Sequence, residues 1–141
     1  MTAEESMAKN EAEAAMVFLD NWYACVKAHD PAKLEALVAD DAVISSPAFY
    51  TPKQSKEYVL AILNAVLAGF EDFTYTKEWV DGKEIILEFN SRIGETKLKG
   101  IDRITVNDAG QIAHIEVLIR PLNGLIALAE HVKATLAKTA A

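Results

Sequence analysis

One cysteine, Cys25, stands in the 141 residues. It cannot close an internal disulfide, and it has no second thiol for a Cys-x-x-Cys metal or redox pair. It falls on an apolar helix face, where an inert buried thiol is the expectation rather than a nucleophile. Basic residues are also short: 14 Lys and Arg against 21 Asp and Glu leave a net charge of −7. A nucleic-acid backbone requires a clustered basic surface. The densest basic stretch, Lys97 and Lys99 near Arg92 and Arg103, is scattered among acids and reads as a solvated or interfacial strand face. No apolar run approaches the roughly 18 to 20 residues that span a bilayer. Residues 1–13, rich in Ala, Glu and Lys, lack the apolar centre of a secretory signal. A cytoplasmic protein with neither nucleic acid nor membrane as partner is expected. No GxSxG, HExxH, P-loop or GxGxxG pattern occurs, which removes support for hydrolases and nucleotide binders of those types. His29, His114 and His131 have no spacing that joins a third ligand, so no metal and no cofactor is expected.

What is present is an ordinary globular balance, 51% hydrophobic and 25% charged, without repeats or a low-complexity linker. A single domain over residues 1–141 follows. Ala15, Phe18, Leu19, Trp22, Cys25 and Val26 step by three and four, predicting a helix from about Glu11 to His29. Asp30-Pro31 stops it and opens a short helix to Val38, since Asp30 can cap and Pro31 suits the first helical position. A brief strand is predicted over Ala42–Ser45 and, after a loop, a helix over Gln54–Leu67 with Tyr58, Ile62, Leu63 and Val66 as its buried stripe. From Phe70 the period changes to two: Phe73, Tyr75, Lys77 and Trp79 alternate with Asp72, Thr74, Thr76 and Glu78. Asp81-Gly82, Gly94-Glu95 and Asn107-Asp108-Ala109-Gly110 then punctuate four long strands in an antiparallel meander. Pro121 opens a last helix to about Lys138, with Leu122, Leu125, Ile126, Ala129, Val132 and Leu136 as its stripe. Helices first, then a meander, predicts an α+β domain in which the helices cover one face of the sheet.

Asp102 is the most informative residue. It shares a strand face with Leu98, Gly100, Ile104 and Val106, while Lys97, Lys99 and Arg103 take the other. An acid on an apolar face finds a partner or stays protonated with a raised pKa. Two readings stand: a pocket acid, or a structurally satisfied Asp. Gly100 leaves room beside it for a ligand or another backbone. His114 and Glu116 share a face that reads as a polar outer or dimer-facing surface. Among the aromatics, Phe73 and Trp79 read as core. Phe49 and Tyr50, in a Pro-bounded loop, read as a pocket gate or a loop anchor.

The order of elements, with VADDAVISSP at 38–47 and KGIDRITVNDAGQIAHIEV at 99–117, resembles the nuclear transport factor 2-like superfamily over roughly residues 11–120. Ser46–Tyr50, Phe70–Phe73 and Arg120–Leu122 are similar to its SnoaL-like and steroid isomerase branch. The resemblance implies a cone-shaped curved antiparallel sheet wrapped on N-terminal helices, with an extra C-terminal helix at 121–138. By the same resemblance Asp102 matches the strand acid that donates to the steroid oxygen in ketosteroid isomerases. The general base of that family falls on Ser46, and its oxyanion tyrosine on Trp22. The Arg and second Asp of limonene epoxide hydrolase-like enzymes fall on Gly100 and Val117. The expected function is a homodimer binding a small apolar molecule whose carbonyl or hydroxyl meets Asp102. Trp22, Ser46, Tyr50, Tyr58, Leu87, Phe89, Ile115 and Val117 are its expected walls. A lyase or isomerase with Asp102 as general acid or base is one alternative, and a non-enzymatic dimeric interaction module is another.

Overall fold

The computed structural model describes residues 2–139. The first helix, α1 (Ala3–Ala28), begins well before the expected Glu11. Its first turns bury nothing, so no apolar period marks them. They are held instead by a reciprocal cap, in which Thr2 Oγ1 accepts from the Glu5 N–H at 3.1 Å and Glu5 Oε2 accepts from the Thr2 N–H at 3.4 Å. Further along, Ala15, Phe18, Leu19, Trp22 and Cys25 are buried as the periodicity requires. Asp30 Oδ1 then accepts from the N–H groups of Ala32 and Lys33, starting α2 (Pro31–Ala36). Strand β1 runs Val38–Ser45 and β2 is only Lys53–Gln54. Ser55 caps α3 (Lys56–Gly69) by accepting from the Tyr58 N–H at 3.1 Å. The meander follows as β3 (Glu71–Asp81), β4 (Glu84–Ile93), β5 (Thr96–Val106) and β6 (Ile112–Arg120), and α4 (Leu122–Thr139) closes the chain.

The six strands form one open sheet in the order β2-β1-β6-β5-β4-β3. It is mixed rather than wholly antiparallel, because β1 lies parallel to β6. β1 also starts earlier than the expected Ala42. Its pairing with β6 shifts register between Val38 and Val43, and the exposed Asp40-Asp41 pair sits in that irregularity. Interrupted alternation conceals the front half of the strand from a period-two reading.

Cross-strand register aligns Leu87, Asp102 and Val117 in one row, and Ile85, Ile104 and Ile115 in the next. These rows face the helices, and all but Asp102 and Val117 are buried apolar residues. Beyond Tyr75, β3 departs from the expected alternation. Tyr75 pairs with Phe89 but Lys77 pairs with Glu88, so β3 carries one extra residue there. The bulge turns Lys77 and Trp79 to the opposite face from Phe73 and Tyr75. Trp79 is therefore 42% exposed rather than core, with the Lys77 ammonium 4.7 Å from its ring centroid. The stripe of α4 is displaced as well. Gly124 and Leu128 are its buried positions, while Leu122 and Ile126 are exposed. A Cβ on Gly124 would overlap Leu98, which shows how closely the helix is pressed onto β5.

Candidate functional site

Asp102 projects from the middle of β5 between its cross-strand neighbours Leu87 and Val117. Leu87 is wholly buried, and Asp102 itself is only 8% exposed. Taking the carboxyl out of water penalises its charged form. Burial pushes it up from 3.8 to about 7, against a smaller opposing pull from a hydrogen bond donated by Tyr75. That bond runs from the Tyr75 hydroxyl to Asp102 Oδ2 at 3.4 Å. The Trp22 indole N–H donates in turn to the Tyr75 hydroxyl oxygen at 2.8 Å. Burial, then the Asp102 charge, hold the Tyr75 phenol well above its ordinary pKa.

The chain Trp22–Tyr75–Asp102 uses only one carboxyl oxygen. Asp102 Oδ1 makes no hydrogen bond among the described residues, and no fully buried side-chain oxygen there is left without a partner. Asp102 lines the adjoining cavity. That cavity has a volume of about 40 Å³ and is lined almost wholly by apolar groups, including Ile62, Val66, Phe73, Ile115, Val117 and Leu128, with Trp22, Ser46, Tyr75 and Asp102 as polar members. It has room for a few water-sized groups. A larger chamber of about 450 Å³, between α3, α4 and the loop after β1, shares Ser46, Pro47, Ile62, Val66 and Leu128 with it.

Of the walls expected from sequence, Trp22, Ser46, Ile115 and Val117 line the inner cavity. Leu87 and Phe89 stand behind it, fully buried; the Phe89 ring stacks on Phe73 at 5.1 Å between centroids. Tyr58 lines the outer chamber, where the Lys53 ammonium lies 4.1 Å from its ring centroid. Tyr50 is a correction: it stands fully in solvent and borders neither space, because the loop turns Phe49 toward the chamber and Tyr50 away. The space beside Gly100 belongs to the protein. A Cβ there would overlap the Leu118 carbonyl, Ile119 and the Phe89 ring, so another backbone rather than a ligand requires the glycine. Cys25 is buried, its thiol pushed up in pKa by burial, and its Sγ contacts the Asp30 carbonyl at 3.6 Å.

Tyr75 is the residue that sequence reasoning passed over. It belongs to the alternating face of β3 with Phe73, but β3 and β5 are separated by β4. Register counted from the Asp81-Gly82 turn puts Thr76 opposite Phe89. The bulge between Tyr75 and Lys77 moves Tyr75 there instead, beside the Phe89–Gly100 pair two residues from Asp102, so no local signal in the sequence marks it. Among the described residues no group of three metal-ligating side chains comes together, and no helix is long and apolar enough to cross a membrane.

Fold and site define an α+β domain of the cystatin-like, nuclear transport factor 2-like kind, with a buried acid under its helices. The chain belongs to the SnoaL-like domain family, which it matches over residues 19–115. It is similar to a steroid delta-isomerase from Pseudomonas aeruginosa, with 40% identity over 89% of this chain and 93% of that one at a TM-score of 0.85. A bacterial protein of cystatin-like fold from Silicibacter pomeroyi is 30% identical over 87% of each chain, with a TM-score of 0.81. An LEH-like epoxide hydrolase of M. tuberculosis, at 17% identity over 89% of this chain and 97% of that one, with a TM-score of 0.62, shares the fold alone. No curated protein matches the chain significantly.

Proposed function

We propose that the protein binds a small apolar molecule through one carbonyl or hydroxyl oxygen at Asp102. The carrying observation is a carboxyl that lines an apolar cavity and has one oxygen without a hydrogen bond among the described residues, beside a phenol already bonded to the other. With a pKa near neutrality, Asp102 serves either kind of group. Protonated, it donates to a carbonyl; ionised, it accepts from a hydroxyl. Apolar surroundings strengthen whichever bond forms. Thermal unfolding against a set of apolar ketones, phenols and steroids tests the reading, run in parallel on Asp102→Leu, which can neither donate nor accept. A compound at about 100 times its dissociation constant stabilises the fold by roughly 2.7 kcal/mol, and the mutant loses that response. Equal responses from both proteins refute Asp102 as the anchor.

Tyr75 favours a second reading, an isomerase or lyase. A tyrosine hydroxyl beside a protonated acid is the pair with which ketosteroid isomerases polarise a carbonyl, and the 40% identical relative is named a steroid delta-isomerase. The position of that family's carboxylate base is held by Ser46, whose Oγ accepts from the Ala48 N–H at 3.1 Å. Proton transfer then falls to Asp102 itself, whose pKa near operating pH suits that work. Deuterium uptake from D₂O at the carbon next to a bound ketone's carbonyl separates the readings. A catalyst shows uptake in wild type and none in Asp102→Asn; a binder shows stabilisation without uptake.

Homodimerisation through the outer sheet face belongs to the same proposal. Leu118 is 48% and Trp79 42% exposed there, among the ion pairs Lys99–Glu88 and Arg103–Glu84. Such a mixed surface is typical of interfaces. Light scattering checks it: Leu118→Arg yields monomer if this face pairs, and unchanged mass refutes the interface.

A further inference from the structure

The cavity at Asp102 and the chamber beneath α4 differ more than tenfold in volume, about 40 against about 450 Å³, yet share walls. Pockets that enclose most of a small ligand measure about 300 to 1,000 Å³. The inner cavity falls far below that range and the outer chamber lies within it. A ligand that reaches Asp102 can therefore place only a slender leading group inside and must seat its body elsewhere.

Among the described residues, two larger spaces share several walls with the inner cavity. One, of about 400 Å³, lies beyond Tyr75 and Phe73 and is edged by Lys27, His29 and Asp72. The other is the α3–α4 chamber, walled by Tyr58, Leu125, Ala129, Val132 and Leu136, with Glu130 and Lys133 at its margin. Each space has one lysine and one acid at its edge, but the chamber is otherwise mostly aliphatic, whereas the first adds His29 and the hydroxyl-bearing Tyr23 and Tyr75, so a neutral apolar body suits the chamber. Ser46, Pro47, Ile62, Val66 and Leu128 form the wall that chamber and cavity share. Leu128 is only 4% exposed, and its helix is fixed from both sides. Gly124 lies against β5, while the His131 ring meets the Ala65 carbonyl at 2.9 Å, in space that a Cβ on Gly69 would occupy.

We propose that the α3–α4 chamber holds the ligand's body, and that the ligand is a neutral, slender oxo compound, an aliphatic chain with a ketone near its leading end, threaded past Leu128. This rests on the Asp102 reading and adds to it a second subsite and a size-selecting residue. The head meets Tyr75 and Asp102; each methylene behind it buries against α3 and α4.

A series of 2-alkanones from 2-butanone to 2-decanone tests it, with binding read by Trp22 fluorescence in a Trp79→Phe background. Each buried methylene contributes about 0.8 kcal/mol, or roughly fourfold in affinity. Wild type tightens by about that factor per carbon. Ala129→Phe, which fills the chamber without adding an indole, flattens this dependence while leaving 2-butanone unaffected. Asp102→Leu, which has no polar atom to offer the ketone, weakens every member by one common factor with the dependence intact. A chain-length dependence that survives Ala129→Phe overturns the chamber; a missing Asp102→Leu offset overturns the anchor instead. Should Ala129→Phe fail to fold, Leu128→Ala decides: cyclohexyl methyl ketone gains at least tenfold relative to 2-octanone if Leu128 is the constriction, and an unchanged ratio overturns it. If no alkanone binds wild type, anchor and chamber both fall.

Discussion

Replacing Asp102 by Asn makes the protein more stable at alkaline pH, and the size of the gain follows from the burial of the carboxyl. Unfolded, Asp102 ionises near 3.8; folded, it holds its proton to about 7. Between those values the native state binds more protons than the unfolded state, so stability falls as pH rises through the window. It is fully present below the unfolded value and levels off at its lowest above the folded one. A difference of about three pKa units, at about 1.36 kcal/mol each, amounts to about 4 kcal/mol. Asn cannot ionise, keeps an oxygen to accept from the Tyr75 hydroxyl and has nearly the same volume. Other titrating groups are common to both proteins and cancel in the difference. Urea unfolding of wild type and Asp102→Asn at about pH 4 and about pH 8.5 reads it directly. The two stabilities diverge by up to about 4 kcal/mol, in favour of the mutant, as pH rises. Parallel pH dependences would show that the carboxyl ionises freely in the folded protein and would refute the reasoning.

Tyr75→Phe removes the donor that favours the ionised carboxylate and raises the Asp102 pKa further, measurable by carboxyl carbon NMR. It also leaves the buried Trp22 N–H unpaired, at a cost of about 1–3 kcal/mol. Gly69→Ala drives a methyl into the His131 ring; the helix contact must give way, with a loss of about 1–3 kcal/mol and faster amide exchange over α4. Trp79→Ala costs about 1 kcal/mol or less in a monomer, since the bulge leaves that ring half exposed. Phe73→Ala, half-buried and packed on Phe70 and Phe89 at 5.3 and 5.1 Å between centroids, costs more, about 2–3 kcal/mol. Similar losses at the two positions would contradict the bulge.

Much of this architecture is legible in the chain because burial and local period agree. Phe18, Leu19, Trp22 and Cys25 repeat at the helical spacing and are buried together. Leu98, Gly100, Asp102, Ile104 and Val106 alternate and face inward together, so the placement of Asp102 on the apolar face follows from period two alone. Legibility fails where the backbone breaks its period. The Tyr75–Lys77 bulge reverses the face of Trp79, and the β1 irregularity hides Val38–Asp41. The parallel β1–β6 pairing joins segments far apart in sequence and leaves no local trace. The start of α1 is invisible to periodicity because its stability comes from a cap and not a buried stripe. At the site, the acid is readable but its donor is not. Tyr75 reaches Asp102 across an intervening strand, a relation set by register, twist and side-chain length together. Tyr50 fails for the opposite reason: a loop aromatic has no period that fixes its direction.

Titrating the Asp102 carboxyl carbon by NMR, free and saturated with a neutral ketone, tests the central claim most directly. A buried acid that donates to a carbonyl titrates near pH 7 when free, and at higher pH when the ligand is bound, because binding selects the protonated form. A free midpoint near the ordinary value of about 4, or a midpoint that the ketone leaves unmoved, would contradict Asp102 as the anchor of the site.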